Sequence, residues 1–228
     1  MRLAERISVA LAVGEPRERS GHSPLQVAYL TAALEGRRAD AYGLARDALL
    51  AGTAIGRVYR ELLVATQRRL GDLWEVGSIS VAEEHLASAV TASVVARLYE
   101  HLPAGDGAAG RVVVTGVEGE LHSLPAHFAA DLLQLEGWDV SLVGPNVPRT
   151  AILSVVDEKA PDAVGLSVTM PFNIAPTVSL IQELRALRPG LRILLGGRAV
   201  RDKADLARSL GVDLMCNLGD ENRAREDR

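Results

Sequence analysis

Between Gly110 and Met215, short apolar runs rich in β-branched residues alternate with segments of helical spacing, and no other pattern in the chain limits its fold as tightly. Strands are predicted at Val112–Thr115, Val140–Val143, Ala163–Ser167 and Arg192–Leu195, with Val212–Met215 as a fifth. Helical patterns fill 124–136, 150–159, 174–187 and 201–209. Strands joined by helices at this spacing imply a parallel, doubly wound sheet. An open sheet of that kind binds ligands at the carboxyl ends of its strands. Four loops emerge there: Gly116 to Pro125, Gly144 to Pro148, Ser167 to Pro171, and Gly196-Gly197.

The segment from Pro24 to about Leu102 has no strand-like alternation. Its apolar positions recur at helical spacing in four stretches: Pro24–Leu34 closed by Gly36, Ala39–Leu50 closed by Gly52, Gly56–Glu75 closed by Gly77, and a stretch from Ser80 to Leu102. Ser80 with Glu83 three residues on has the spacing of a capping box. Four helices with short loops read as an up-down bundle. The small, Gly/Ala-rich stretch Pro103 to Gly110 is the best linker in the chain. The expected division is an N-terminal segment 1–23, a helical bundle 24–103, an α/β domain 110–216 and a flexible tail 217–228.

Charge excludes some partners. Lys and Arg (25) fall short of Asp and Glu (29), for a net charge of -4, so no basic face argues for direct nucleic-acid binding. No apolar stretch is long enough to cross a bilayer. Arg2 and Arg6 ahead of Ile7 to Val13 faintly resemble a secretory leader, but the apolar part is short and no clear cleavage site comes after it. The expected compartment is the cytoplasm. Cys216 is the single cysteine and cannot form an internal disulfide.

The first loop carries the sharpest chemistry. Glu120-Leu-His122 comes after Arg111-Val-Val-Val-Thr115, so an imidazole and a carboxylate two residues apart stand at the ligand edge. A dinucleotide is disfavoured there: Gly116-Val-Glu-Gly119-Glu120 lacks the G-x-G-x-x-G spacing, and Glu118 and Glu120 would put negative charge where a pyrophosphate must sit. Histidine is a common metal ligand whose tautomer a carboxylate can fix. One histidine cannot hold zinc, which takes about four ligands, so a metal here would arrive inside a cofactor. Ser167 and Thr169 offer hydroxyls at a strand end, and Gly196-Gly197 admits close approach to the backbone. Taken singly, each of these also has an ordinary structural use.

Together, these residues resemble the cobalamin-binding proteins, whose sheet domain supplies a lower axial histidine within a D-x-H-x-x-G motif. The match is Glu120-x-His122-x-x-Pro125, and Ser167-x-Thr169 with Gly196-Gly197 is similar to the stretches that in this family accommodate the displaced dimethylbenzimidazole and its nucleotide tail. Trp74, nine intervening residues and Glu84-His85 resemble the W-x9-E-H motif with which the light-sensing, adenosylcobalamin-dependent branch covers the upper corrin face. The resemblance spans about residues 24 to 215. It implies a four-helix bundle capping a flavodoxin-like (Rossmann-like) α/β domain, with Trp74, Glu84 and His85 above adenosylcobalamin and Glu120, His122, Ser123, Ser167, Thr169, Gly196 and Gly197 around its lower side. His122 would ligate cobalt, with Glu120 and Ser167 in hydrogen-bonded support.

The same resemblance implies a photoreceptor, not an enzyme, in which light cleaves the cobalt–carbon bond and the bundle changes an interface. Related repressors carry a winged-helix DNA-binding domain ahead of the bundle, and the residues before Pro24 are too few for one. Signal output through a partner regulatory protein or a homodimer is therefore expected, with an ultimate role in transcription regulation. The photocobilins among the stand-alone relatives add a bilin, so biliverdin is a candidate second chromophore and Cys216 the one thiol that could tether it. The alternative is the corrinoid shuttle protein of a methyltransferase system. Three positions depart from the pattern: Glu120 replaces the aspartate, a change the resemblance makes typical of the sensor branch, Pro125 replaces the family glycine, which could shift the start of the next helix, and Glu75 stands where light-dependent repressors carry a histidine. Against all this stand ordinary readings: Trp74 as core, Glu83-Glu84 as a solvated face, and His22, His101 and His127 as structural or solvated.

Overall fold

The computed structural model describes residues 23–201 and 203–214. The expectations for residues 1–22, for Met215 and Cys216, and for the tail lie outside the described residues. The chain forms two compact units, Met1–His101 and Leu102–Arg228.

The first unit contains α1 (Pro24–Leu34), α2 (Arg38–Leu50), a rod made of α3 (Ile55–Arg57), a π-helical stretch (Val58–Val64) and α4 (Ala65–Glu75), and finally α5 (Val81–Leu98), which runs into a 3-10 turn at Tyr99–His101. Local chemistry sets the starts. Ser23 and Gln26 form a reciprocal capping box with Pro24 in the first turn, and Ser80 and Glu83 form another. Each such cap is worth about 1 kcal/mol because it satisfies amides that no carbonyl in the helix can reach. Glu83 is thus a cap rather than an idle surface charge. Gly36, Gly52 and Gly77 take left-handed φ of 71°, 89° and 69° at the helix ends, conformations that a side chain disfavours.

The core of this unit holds Tyr29, Tyr59, Leu63, Leu70, Leu73, Val90, Val94 and Leu98. Tyr29 donates its buried hydroxyl to Thr91 Oγ1 at 3.3 Å, tying α1 to α5, and burial pushes its phenol up beyond the usual range. The predicted third helix exists as a continuous rod, but Val58–Val64 shifts to the wider π spacing and buries Val58, Tyr59, Leu62, Leu63 and Val64.

The second unit is a five-stranded parallel sheet in the order β2-β1-β3-β4-β5. Its strands are β1 (Gly110–Gly116), β2 (Trp138–Gly144), β3 (Ala163–Ser167), β4 (Arg192–Gly196) and β5 (Asp213–Leu214). Between them run α6 (Leu124–Leu135), α7 (Arg149–Lys159), α8 (Ile174–Leu187) and α9 (Ala204–Leu210). Alternation along β1 divides the core. Val113 packs with Ile152, Val156, Leu166, Ile181, Leu184 and Leu195 under α7 and α8, whereas Val112 and Val114 meet Ala126, Ala129 and Ala130 of α6 on the other face. Strand order reverses at β1, which has β2 on one side and β3 on the other. The gap between the carboxyl ends of β1 and β3 is the topological switch point of a flavodoxin-like sheet, where such folds take their ligands.

Helix α6 begins at Leu124, and Pro125 occupies its first turn, where a missing amide hydrogen leaves no bond unmade.

Candidate functional site

Glu120 and His122 stand at that switch point. Glu120 is 0% exposed, yet its carboxylate is fully partnered. Oε1 lies 2.5 Å from His122 Nδ1 and accepts the His122 amide at 3.2 Å. Oε2 accepts the amides of Thr169 at 2.7 Å and Met170 at 3.1 Å and the side-chain amide of Asn173 at 3.2 Å. Burial alone would raise this carboxyl. The hydrogen bonds from the His122 ring and from the amides of Thr169, Met170 and His122 overcome that effect and bring it down to about 2. An ionised carboxylate can only accept, so the proton between them belongs to Nδ1 and the imidazole presents Nε2 as a lone pair. The His122 side chain is 45% exposed.

The main chain of Glu120 takes part as well. Its carbonyl accepts the Asn146 amide at 2.8 Å, Asn146 Oδ1 accepts the Gly119 amide at 2.8 Å, and the Val147 amide donates to Gly116 O at 3.2 Å. Asn146 adopts φ 53°, a conformation asparagine tolerates better than most residues. The loops after β1, β2 and β3 are thereby laced together.

Ser167, Gly116 and Gly196 lie side by side in the strand register. The hydroxyls of Ser167 and Thr169 are both buried and have no partner among the described residues. The expected bond from Ser167 to the Glu120–His122 pair is absent: amides of Thr169 and Met170 and the side chain of Asn173 fill the carboxylate's remaining sites instead. Nothing in the local sequence marked Asn173, because it acts across 53 positions of chain. Gly197 has φ 106°, and a Cβ there would fall 2.3 Å from Val168 O, so only glycine fits. Ser123 precedes α6 without capping it by its side chain, and its carbonyl lies 3.0 Å from His127 Nδ1. Leu121 and Phe172 are exposed in the same two loops.

Buried hydroxyls without a partner, an imidazole and exposed apolar side chains at one sheet edge fit a large amphipathic ligand with a metal centre and a hydrogen-bonding tail. Among the described residues no cluster of three or more His, Cys, Asp and Glu could hold a metal ion.

In the first unit, Trp74 sits near the end of α4 and is 46% exposed, so it is not core. Glu84 and His85 lie in the first turns of α5, with His85 Nδ1 2.8 Å from Glu84 Oε2. The imidazole is 75% exposed and the carboxylate 21%. Ser88 Oγ lies 2.7 Å from Glu84 Oε1 and 3.0 Å from Gln67 Oε1 on α4. Glu75 ends α4, and His101 lies 3.9 Å from Glu100. An open groove of about 500 Å³ between α1 and α2, lined by Thr31, Arg37, Asp40, Leu44 and Asp47, includes none of these residues.

Comparison with known proteins gives matches to both units. The B12 binding domain family matches residues 110–225, and a second B12 binding domain family matches residues 25–99. An HTH-type transcriptional repressor of Myxococcus xanthus, CarH, is 30% identical over 167 residues, which is 73% of this chain and 55% of that protein. Methionine synthase of Mycobacterium tuberculosis is 26% identical over 148 residues, 63% of this chain but 12% of the enzyme. The chain thus spans little more than half of one relative and a small part of the other. Among solved structures, the monomethylamine corrinoid protein of Methanosarcina barkeri shares the fold at a TM-score of 0.73 with 19% identity, covering 87% of this chain and 95% of that one.

Proposed function

The chain belongs to the B12 binding domain family, and from that premise we propose that it is a light sensor that uses adenosylcobalamin and acts by changing a protein interface. The cofactor is a corrinoid. When bound, it supplies a cobalt–carbon bond whose cleavage by light is the event sensed. The protein's share is to hold and orient it. His122 offers Nε2 to cobalt, and Glu120 keeps that imidazole in the required tautomer. Ser167 and Thr169 provide hydroxyls for the nucleotide tail, Gly196 gives it room, Gly197 lets the chain pass close to Val168 and so shapes that edge, and Ser123 lines the same edge. Trp74, Glu84 and His85 contact the adenosyl group and exclude water from it.

One observation carries the sensing reading over simple carriage: Trp74 and His85 are exposed on their helices, 46% and 75%, instead of serving the core. A large aromatic ring and an imidazole held out of the core are suited to a ligand larger than a methyl group. The protein then acts as a binding and signalling molecule and not as a catalyst, and its signal leaves through a homodimer contact or a regulatory partner in the cytoplasm. Biliverdin is a candidate second chromophore, held noncovalently or through Cys216.

The second reading, a corrinoid shuttle protein of a methyltransferase system, shares the Glu120–His122 seat and draws on the fold likeness to the monomethylamine corrinoid protein. Absorption spectra of the adenosylcobalamin-loaded protein in the dark and after illumination separate the two. The sensor reading expects a lasting spectral change accompanied by a change in mass or shape by light scattering, and a higher affinity for adenosylcobalamin than for methylcobalamin. Equal affinities with no change in assembly would sink it in favour of the shuttle. Co-expression with a biliverdin source tests the bilin, which a missing long-wavelength band removes.

A further inference from the structure

The hydrogen-bonded row in the first unit contains one proton too few. Ser88 Oγ touches two acceptor oxygens, Glu84 Oε1 at 2.7 Å and Gln67 Oε1 at 3.0 Å, but a hydroxyl has a single hydrogen to give. At the same time Gln67 Nε2 is buried with no partner. The oxygen and nitrogen of a glutamine amide have nearly the same shape, and hydrogen bonding must decide between them. Exchanging them resolves both problems: Gln67 Nε2 donates to Ser88 Oγ, and Ser88 passes its own hydrogen to Glu84. The exchange leaves the amide carbonyl as the unpartnered atom, a milder fault than an unpartnered N–H.

We infer that Gln67 and Ser88 are positioning residues: a one-way chain from the Gln67 amide through the Ser88 hydroxyl to the Glu84 carboxylate holds Glu84 as an acceptor and fixes His85 with its proton on Nδ1 and a lone pair on Nε2. Glu84 Oε1 receives the Ser88 hydrogen, and Oε2, 2.8 Å from the ring, receives Nδ1–H. His85 Nε2 therefore accepts, so the group it recognises must be a donor such as a ribosyl hydroxyl or an exocyclic amine. A methyl group has neither. This rests on the proposed use of Glu84 and His85 toward an adenosyl ligand, and it adds the residues behind them that set the polarity of the contact. No sequence motif named Gln67 or Ser88; they meet because α4 and α5 are neighbours.

Histidine-labelled, cofactor-free full chain tests the chain of bonds by nitrogen NMR at about pH 8.5, above the usual histidine range, with His85→Asn used to assign the signal. Wild type should show the Nδ1–H tautomer. Ser88→Ala and Gln67→Met should move His85 toward the mixture of a free imidazole, and Ser88→Thr, which keeps the hydroxyl, should restore it. Gln67→Glu is decisive, because a carboxylate cannot donate: it should behave like Gln67→Met. A wild-type tautomer in Gln67→Glu, or a mixed tautomer in wild type, would overturn the inference. With adenosylcobalamin and methylcobalamin as probes, Ser88→Ala should lower the affinity ratio about tenfold. An unchanged ratio alongside a changed tautomer would overturn the adenosyl reading on which the inference rests while leaving the hydrogen-bond chain intact.

Discussion

Among the described residues, the Glu120–His122 pair of the second unit and the Glu84–His85 pair of the first are held in different ways. Glu120 is wholly buried, takes five hydrogen bonds and orients an imidazole at 2.5 Å. Glu84 is partly exposed, meets one hydroxyl and orients an imidazole at 2.8 Å. The first belongs to a fixed seat, where every donor around the carboxylate other than the imidazole comes from backbone or a buried amide. The second is held by side chains on two helices.

Removing each carboxylate should expose the largest difference. Glu120→Ala strands the amides of Thr169, Met170 and Asn173 in the interior, and unpaired buried donors cost about 1–3 kcal/mol each. A loss of roughly 3 kcal/mol or more in urea unfolding is expected, together with loss of corrinoid binding. Glu84→Ala should cost less than about 1 kcal/mol. Equal losses would erase the distinction.

Acid sharpens it next. The Glu120 carboxyl is held at about 2 against an ordinary 4.5, so its stabilisation is fully present above about 4.5 and is lost as pH falls toward about 2. Its size is on the order of 3 kcal/mol. Wild type should lose that much more stability than Glu120→Gln between about pH 5 and pH 2, and parallel curves would contradict the assignment.

The smallest effect on stability is expected at His85, which is 75% exposed: His85→Ala should change unfolding by about 0.5 kcal/mol or less. His122→Ala, in contrast, takes the ring N–H from the buried Glu120 carboxylate and should cost about 1–3 kcal/mol. They should differ in spectroscopy. Cob(II)alamin bound to wild type should show nitrogen hyperfine splitting that responds to isotopic labelling of histidine, and His122→Ala should abolish it while His85→Ala leaves it. Splitting from dimethylbenzimidazole in wild type would remove His122 as the ligand.

Much of the architecture was legible because it is written in local patterns. The β-branched run at Val112–Thr115 and the Ser80–Glu83 spacing each specify their element within a few residues, and the strand and the capping box both form there. The pair Glu120–His122 was legible for the same reason. Asn173, Asn146 and Gln67 were not, since each acts on residues far along the chain whose proximity only the fold creates. The π stretch at Val58–Val64 was hidden too: its apolar residues fit an α-helical face nearly as well, and packing selects between the two. The expected support of His122 by Ser167 was not legible either way from sequence, because Ser167 lies on β3 and its hydroxyl is buried without a partner among the described residues.

The two ends of Glu120 have a consequence for change over time. Its carbonyl binds the loop after β2 and its carboxylate the loop after β3, so one residue of the β1 loop sets the spacing of all three. Lengthening any of them by a residue would pull at the other two, and compensation would require coordinated changes in separate parts of the gene. The ligand edge of this sheet is therefore a poor place to acquire insertions, and new specificity is more easily gained by replacing side chains within loops of fixed length.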